Sequence, residues 1–130
     1  MITFKQKQLL AQENFALATC DKNGQPNAIA VGCAETVGGD LILITDNFMN
    51  KTKKNILENN KVALAVWSKN GDEGYQFKGK ADYLTSGEYK ERVDNDPDNQ
   101  GLAHKAAMLV HVEEIYDLAN PKLLWQKPKK

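Results

Sequence analysis

Short strand-like segments separated by tight turns constrain the fold of this chain more than any other feature. The segment "LILIT" (41–45) is an unbroken apolar run, which predicts a strand buried on both faces. The turn sequence "DKNG" (21–24) follows a first strand and predicts a β-hairpin with Gly24 in the left-handed conformation. Six strands are predicted in all, at 15–20, 26–36, 41–45, 61–68, 75–85 and 104–118. Short strands joined by tight turns favour an antiparallel sheet, and six of them can curl into a small barrel without exposed edges.

Three short helices are predicted between these strands. The first covers 3–14, and the second covers 49–60, directly after "LILIT". The third covers 87–93 and follows "TSGE" (85–88), which has the Thr-x-x-Glu form of a capping box. The fold class is therefore mainly β with short helices. Because 130 residues is the length of one domain, a single domain over 1–130 is expected.

The composition argues against several classes of function. The formal net charge is 0, whereas nucleic acids and anionic membranes attract a basic surface. No apolar run approaches the roughly 20 residues that a membrane span needs, and the N-terminus is too polar for a signal peptide. A cytoplasmic protein is therefore expected. Cys20 and Cys33 show neither CxxC nor zinc-site spacing, so they are expected to be small buried residues, and no metal site is predicted.

The junction between "LILIT" and the next helix concentrates groups that bind anions. Asn47, Asn50, Lys51 and Thr52 place amides, a hydroxyl and a positive charge there. Unpaired N–H groups and the helix dipole attract phosphate at such a position. Equally well supported is the interpretation that these residues only cap the helix and solvate its outer face. The absence of GxxxxGK[ST] and GxGxxG sequences argues against a nucleoside-triphosphate or dinucleotide site.

Three segments carry a resemblance to a known family: "FALATCDKNGQPNAIAVGC" (15–33), "LILITDNFMNKTKKNILENNKVALAV" (41–66) and "YQFKGKADYLTSGEYKERV" (75–93). Together they resemble the flavin-binding split-barrel superfamily of pyridoxamine 5'-phosphate oxidase-like proteins, with the layout of the small bacterial FMN-binding members. The most specific part is Lys51-Thr52 after the strand, with Asn55 in the helix. The resemblance implies a six-stranded antiparallel split β-barrel that forms a homodimer, with one FMN per subunit at the dimer interface.

The resemblance also implies which residues bind the cofactor. The loop after the third strand holds the FMN phosphate in the family, and here that loop offers Asn50, Lys51 and Thr52. The flavin ring lies along the second and third strands. The matching positions in this chain are Ala30, Val31, Gly32, Cys33, Leu43, Ile44, Thr45 and Asp46.

The C-terminal tail (119–130) is unusual, because Leu123, Leu124 and Trp125 are apolar but follow a proline and precede a charged end. In the small FMN-binding proteins the C-terminal end helps to close the pocket of the partner chain. The resemblance therefore implies a tail that packs at the dimer interface, with Trp125 near the flavin ring of the other subunit. An equally supported alternative is that Trp125 packs over its own chain.

Two functions fit the resemblance. One is an FMN-dependent oxidoreductase that takes electrons from a nicotinamide or redox-protein donor and acts on a small substrate. The other is a non-enzymatic flavin-binding protein for electron transfer or flavin storage. Two further alternatives stay open: a split-barrel dimer without a cofactor, and a protein that binds a deazaflavin. No catalytic side chain is predicted, because the chemistry would belong to the flavin.

Two more specific activities are disfavoured. A resemblance to true pyridoxamine phosphate oxidases would imply a longer chain with arginines around both phosphates. This chain has the single arginine Arg92. Haem binding would need an axial ligand, for which only His104 and His111 are candidates. His111 lies in a strand of alternating apolar residues, where a histidine is more often structural than a ligand.

Overall fold

The computed structural model describes residues 1–129, which contain three α-helices and eight β-strands. The helices are α1 (Phe4–Gln12), α2 (Lys51–Glu58) and α3 (Glu88–Asn95). The strands are β1 (Phe15–Cys20), β2 (Pro26–Val31), β3 (Glu35–Gly38), β4 (Leu41–Asp46), β5 (Lys61–Trp67), β6 (Gly74–Leu84), β7 (Ala106–Asp117) and β8 (Leu123–Gln126). A short 3-10 helix covers Pro97–Asn99.

The strands form one antiparallel sheet in the order β2-β1-β5-β6-β7-β4-β3, and β8 pairs with β7. This arrangement confirms the predicted mainly-β split-barrel class. The predicted count of six strands is wrong for residues 1–129. The segment 26–36 is two strands, because β2 pairs with β1 and β3 pairs with β4, at opposite ends of the strand order. Residues 32–34 leave the sheet and carry the chain from β2 to β3.

The core explains why "LILIT" is unbroken. Ile42 and Ile44 of β4 are fully buried in the main cluster of apolar side chains. Leu43 points the other way and packs with Val93 of α3 in a second, smaller cluster. Strand β4 is thus covered on both faces, as the sequence predicts, and its far end is held in a fixed position beside α2.

The helices begin at places that the sequence only partly reveals. Helix α1 has a capping box, in which the Thr3 hydroxyl accepts a hydrogen bond from the Gln6 amide and the Gln6 side chain accepts one from Thr3. The capping box predicted at 85–88 is wrong. Gly87, with a φ of 94°, takes the N-cap position in place of Thr85, and α3 starts at the next residue, Glu88. Within residues 1–129 no helix is long and apolar enough to span a membrane.

The tail adds a strand to the chain's own sheet. Strand β8 lies on β7, with Trp125 opposite Ile115. The Lys127 amide donates to the carbonyl of Glu113 at 2.8 Å, and its ammonium lies 3.4 Å from Asp40. Trp125 is half-buried and packs against the main core, which agrees with the own-chain alternative for this residue. A contact with a partner subunit stays a prediction.

Candidate functional site

A long cleft opens where β2, the end of β4 and the start of α2 meet. It has two compartments of 450 and 520 Å³. The two share the wall residues Val31, Gly32, Thr45 and Asn47. The first compartment ends at α2, and the second reaches α3 and the 3-10 helix. Because the same four residues line both, the two compartments are neighbours along the wall formed by β2 and β4.

The first compartment ends in a group of hydrogen-bond donors. Helix α2 starts at residue 51, and among the described residues no side chain caps its first amides, since Asn50 makes no capping bond. The Thr52 hydroxyl accepts a long 3.4 Å hydrogen bond from Asn27 Nδ2 and keeps its own proton to donate. The interpretation of Asn50 as a capping side chain is therefore not supported. Uncapped amides and a hydroxyl are the donors that suit a phosphate.

Lys51 carries the positive charge of this donor group. Its Nζ lies 3.9 Å from Asp21 Oδ2, and its side chain is 47% exposed, so the ion pair is loose. The pKa of Asp21 is held below its usual range first by a hydrogen bond from the backbone of Gln25, and Lys51 contributes less. Because other groups stabilise the Asp21 carboxylate, Lys51 is available to an anion in the cleft.

The second compartment has a different character. Arg92 of α3 forms an ion pair with Glu35, in which its Nε donates at 2.8 Å. Asp96 and Asp98 add two negative charges to the wall. Loss of part of its hydration in the cleft wall raises the pKa of the Cys33 thiol, and these two carboxylates raise it further. The expected burial of Cys33 is wrong, because the residue is exposed in the cleft wall, and Cys20 is only half-buried.

Asn99 of the second compartment holds Thr45, which lines both compartments. Its Nδ2 donates to Thr45 Oγ1 at 3.1 Å and to the carbonyl of Val93 at 2.8 Å. The side chain is 7% exposed and lines the second compartment. Since the Thr45 oxygen already accepts a hydrogen bond, its hydroxyl proton is available to an acceptor in the cleft.

The family of the chain follows from its likeness to known proteins. The family model for pyridoxamine 5'-phosphate oxidase matches residues 2–119, which is most of the chain. The chain belongs to this family. An uncharacterized protein of Methanocaldococcus jannaschii is 41% identical over 124 residues, covering 90% of this chain and 80% of that protein.

Two solved structures show the same architecture. HupZ from Group A Streptococcus superposes with a TM-score of 0.86 at 29% identity, covering 96% of this chain and 100% of that chain. An FMN-binding protein from Syntrophomonas wolfei subsp. wolfei superposes with a TM-score of 0.72 at 21% identity, covering 89% of this chain and 85% of that chain. At that identity the second likeness shows a shared fold.

Most positions that the family resemblance assigns to the cofactor lie in the cleft wall. These are Ala30, Val31, Gly32, Cys33, Leu43, Thr45, Asn50, Lys51 and Thr52. Ile44 and Asp46 are fully buried and line neither compartment, because successive side chains of β4 point to opposite faces. Trp125 in β8 also lines neither compartment.

Several wall residues were not identified from the sequence. Asn27 and Ile29 share one face of β2 with Val31, so strand alternation from the predicted Val31 could have found both. Asn99 could not be found in this way. It belongs to the segment 94–101, whose composition is that of an exposed loop and carries no signal for a buried amide.

Proposed function

We propose that this protein binds FMN in the cleft and is a flavin-dependent oxidoreductase acting on a small substrate. The donor group at the start of α2 carries this proposal, because it faces a 450 Å³ compartment that adjoins a second one. Cofactor sites usually lie in clefts of this size. The fold shared with the S. wolfei FMN-binding protein supports FMN as the ligand.

The residues present fit the chemistry of FMN. Asn50, Lys51, Thr52 and the first amides of α2 would hold the phosphate. The rest of the cofactor would lie toward Thr45 and the second compartment. Bound FMN would supply the hydride and electron transfer, and the chain would supply binding, orientation and shielding from water.

The second compartment argues against a phosphorylated substrate. Arg92 is the chain's only arginine, and its guanidinium is already paired with Glu35. Glu35, Asp96 and Asp98 outnumber the cations Lys7 and Arg92 in this wall, so this end of the cleft is unfavourable for a second phosphate. We therefore propose a neutral or cationic small substrate rather than pyridoxamine phosphate.

The first experiment is a visible absorption spectrum of the purified protein before and after addition of FMN and desalting. Retained flavin bands are the expected result. A protein that is colourless after FMN addition and desalting would contradict the proposal. The search would then turn to a deazaflavin or to no cofactor.

The phosphate assignment is tested by Lys51→Ala with two ligands. Hydrogen bonds to charged groups contribute about 1.5–3 kcal/mol, so FMN affinity should fall by roughly 10- to 150-fold. Riboflavin lacks the phosphate, and its affinity should stay nearly constant in the same fluorescence titration. Lys54→Ala is the matched control, since this exposed lysine lies on the same helix outside the cleft wall. Equal losses of affinity for both ligands in Lys51→Ala would show that the phosphate does not bind at this position.

A flavin carrier without a substrate is the second candidate, and the lining of the two compartments fits it as well as it fits an enzyme. His104 Nδ1 lies 2.7 Å from Asp94, and His111 Nε2 lies 2.8 Å from Asp82. Neither histidine belongs to the wall of the two compartments. Steady-state oxidation of NADH or NADPH separates the two candidates. Turnover well above the free-flavin background supports the enzyme, and tight FMN without turnover under either donor supports the carrier.

A further inference from the structure

The loop that leads from β4 to the donor group is held by a buried carboxylate. Asp46, the last residue of β4, is fully buried although it carries an acidic side chain. Its Oδ1 accepts a hydrogen bond from the Met49 amide at 2.8 Å, and its Oδ2 accepts one from the Tyr83 hydroxyl at 2.5 Å. A carboxylate loses its hydration on burial and is tolerated only where such donors replace the water.

The start of β7 holds the same loop from the other side. The Lys105 amide donates to the carbonyl of Asp46 at 2.7 Å, and Lys105 Nζ donates to the carbonyl of Met49 at 2.9 Å. The same Nζ lies 3.9 Å from Asp46 Oδ1. The His104 amide donates to Asn47 Oδ1 at 2.8 Å. His104 has a φ of 30°, a conformation that is costly for a residue with a side chain.

These contacts have a common geometry. Each one ends on the segment 46–49, which contains no helix or strand residue after Asp46. The next residue, Asn50, already belongs to the donor group in the cleft. The contacts therefore fix the direction in which the chain enters α2, and with it the direction of the first amides of the helix.

We infer that Asp46, Tyr83 and Lys105 are positioning residues that hold the loop 47–50 in the conformation needed to bind the FMN phosphate. The inference rests on the proposed function and deepens it. None of the three side chains belongs to the cleft wall, so they act through the loop. This assigns a role to Asp46, which the family resemblance placed beside the flavin ring.

Tyr83 is well suited to this task. Burial raises the pKa of its phenol, and the hydrogen bond to Asp46 raises it further. The hydroxyl therefore stays a donor throughout the neutral and moderately alkaline range. Its ring packs against the main apolar cluster, and the Lys53 ammonium lies 5.3 Å from the ring centre, so the ring should stay in place when the hydroxyl alone is removed.

The test is Tyr83→Phe, with FMN and riboflavin titrated separately against the full chain. The loop loses one of the donors that hold Asp46 while its other contacts remain, so FMN affinity should fall roughly 2- to 10-fold. Riboflavin affinity should fall less, because riboflavin lacks the phosphate that Asn50, Lys51 and Thr52 would hold. The matched control is Tyr116→Phe. Tyr116 also donates to a carboxylate, Glu114 at 3.0 Å, and Lys78 lies 5.1 Å from its ring centre, but it is outside the cleft wall.

Lys105→Met provides a second variant. This side chain is 43% exposed, so its replacement should leave the fold intact even if Tyr83→Phe does not fold. It should also lower the FMN-to-riboflavin affinity ratio. Wild-type protein that prefers FMN, combined with unchanged ratios in both variants, would overturn the inference, as would equal losses of both flavins. Wild-type protein that binds FMN no better than riboflavin would instead overturn the phosphate site of the proposed function.

Discussion

Gly79 in β6 is the residue at which a single added methyl group should matter most. A Cβ at this position would lie 2.0 Å from the carbonyl oxygen of His111 and 3.1 Å from the Cα of Val112. Both atoms are backbone atoms of a paired strand, so no side-chain rotation can relieve the clash. The pairing of β6 with β7 also shifts register between Lys78 and Gly79, which is the bulge that the glycine permits.

Gly79→Ala should therefore lower the free energy of unfolding by about 3 kcal/mol, the upper end of overpacking costs. Chemical denaturation monitored by tryptophan fluorescence measures this. Gly32→Ala is the control, because nothing lies within 4 Å of its added Cβ. Its free energy of unfolding should stay the same or rise slightly. Equal stability of Gly79→Ala and wild type would show that the two strands can separate at the bulge.

The residue types alone predicted the donor group at the start of α2, but not the contacts that hold the loop before it. The place of Lys51 and Thr52 in the cleft wall was predictable, because these donor residue types stand at a helix start in the sequence. Asp46 was assigned to the cleft from the resemblance, but it lies buried behind the wall beside Tyr83 and Lys105, which are 37 and 59 positions away in the chain. Contacts of that range are set by the sheet order and leave no local pattern.

At the scale of elements, β8 allows the two interpretations of the tail to be separated. Trp125 is half-buried against the main core, whereas Leu124 beside it is 45% exposed. Trp125→Ala should lower the free energy of unfolding by roughly 2 kcal/mol, below the 3–5 kcal/mol of a fully buried aromatic residue. Leu124→Ala should change it by less than about 0.5 kcal/mol. Unchanged stability together with weakened FMN binding in Trp125→Ala would instead favour a contact with the partner's flavin.

The elements differ in how much local sequence reveals them. Strand β4 was recognisable because burial on both faces leaves an unbroken apolar run. The division of 26–36 into β2 and β3 was not recognisable, because each half has strand-like residues and only the pairing partners differ. The third helix was displaced by the left-handed φ of Gly87, since the spacing of a capping box does not encode backbone conformation.

At the scale of the molecule, one copy of the chain leaves the cleft open at an apolar edge. Strand β2 ends the order of paired strands and is exposed at alternate positions. Phe48, in the cleft wall, is 78% exposed. Exposed apolar side chains of this size beside a ligand cleft are typical of a surface that another chain covers. The family resemblance implies that the covering chain is a second copy of the same protein.

We therefore expect sedimentation to give twice the chain mass of 14.5 kDa, and FMN affinity to fall when the protein is diluted below the dimer dissociation constant. Phe48→Ser should weaken both association and FMN binding, because it removes apolar area at the mouth of the cleft. Phe4→Ser is the matched control, since Phe4 is 74% exposed on α1 and lies outside the cleft wall. A monomer with undiminished FMN affinity would place the whole cofactor site within one chain. In that case the exposed edge of β2 would not be a subunit interface that flavin binding needs.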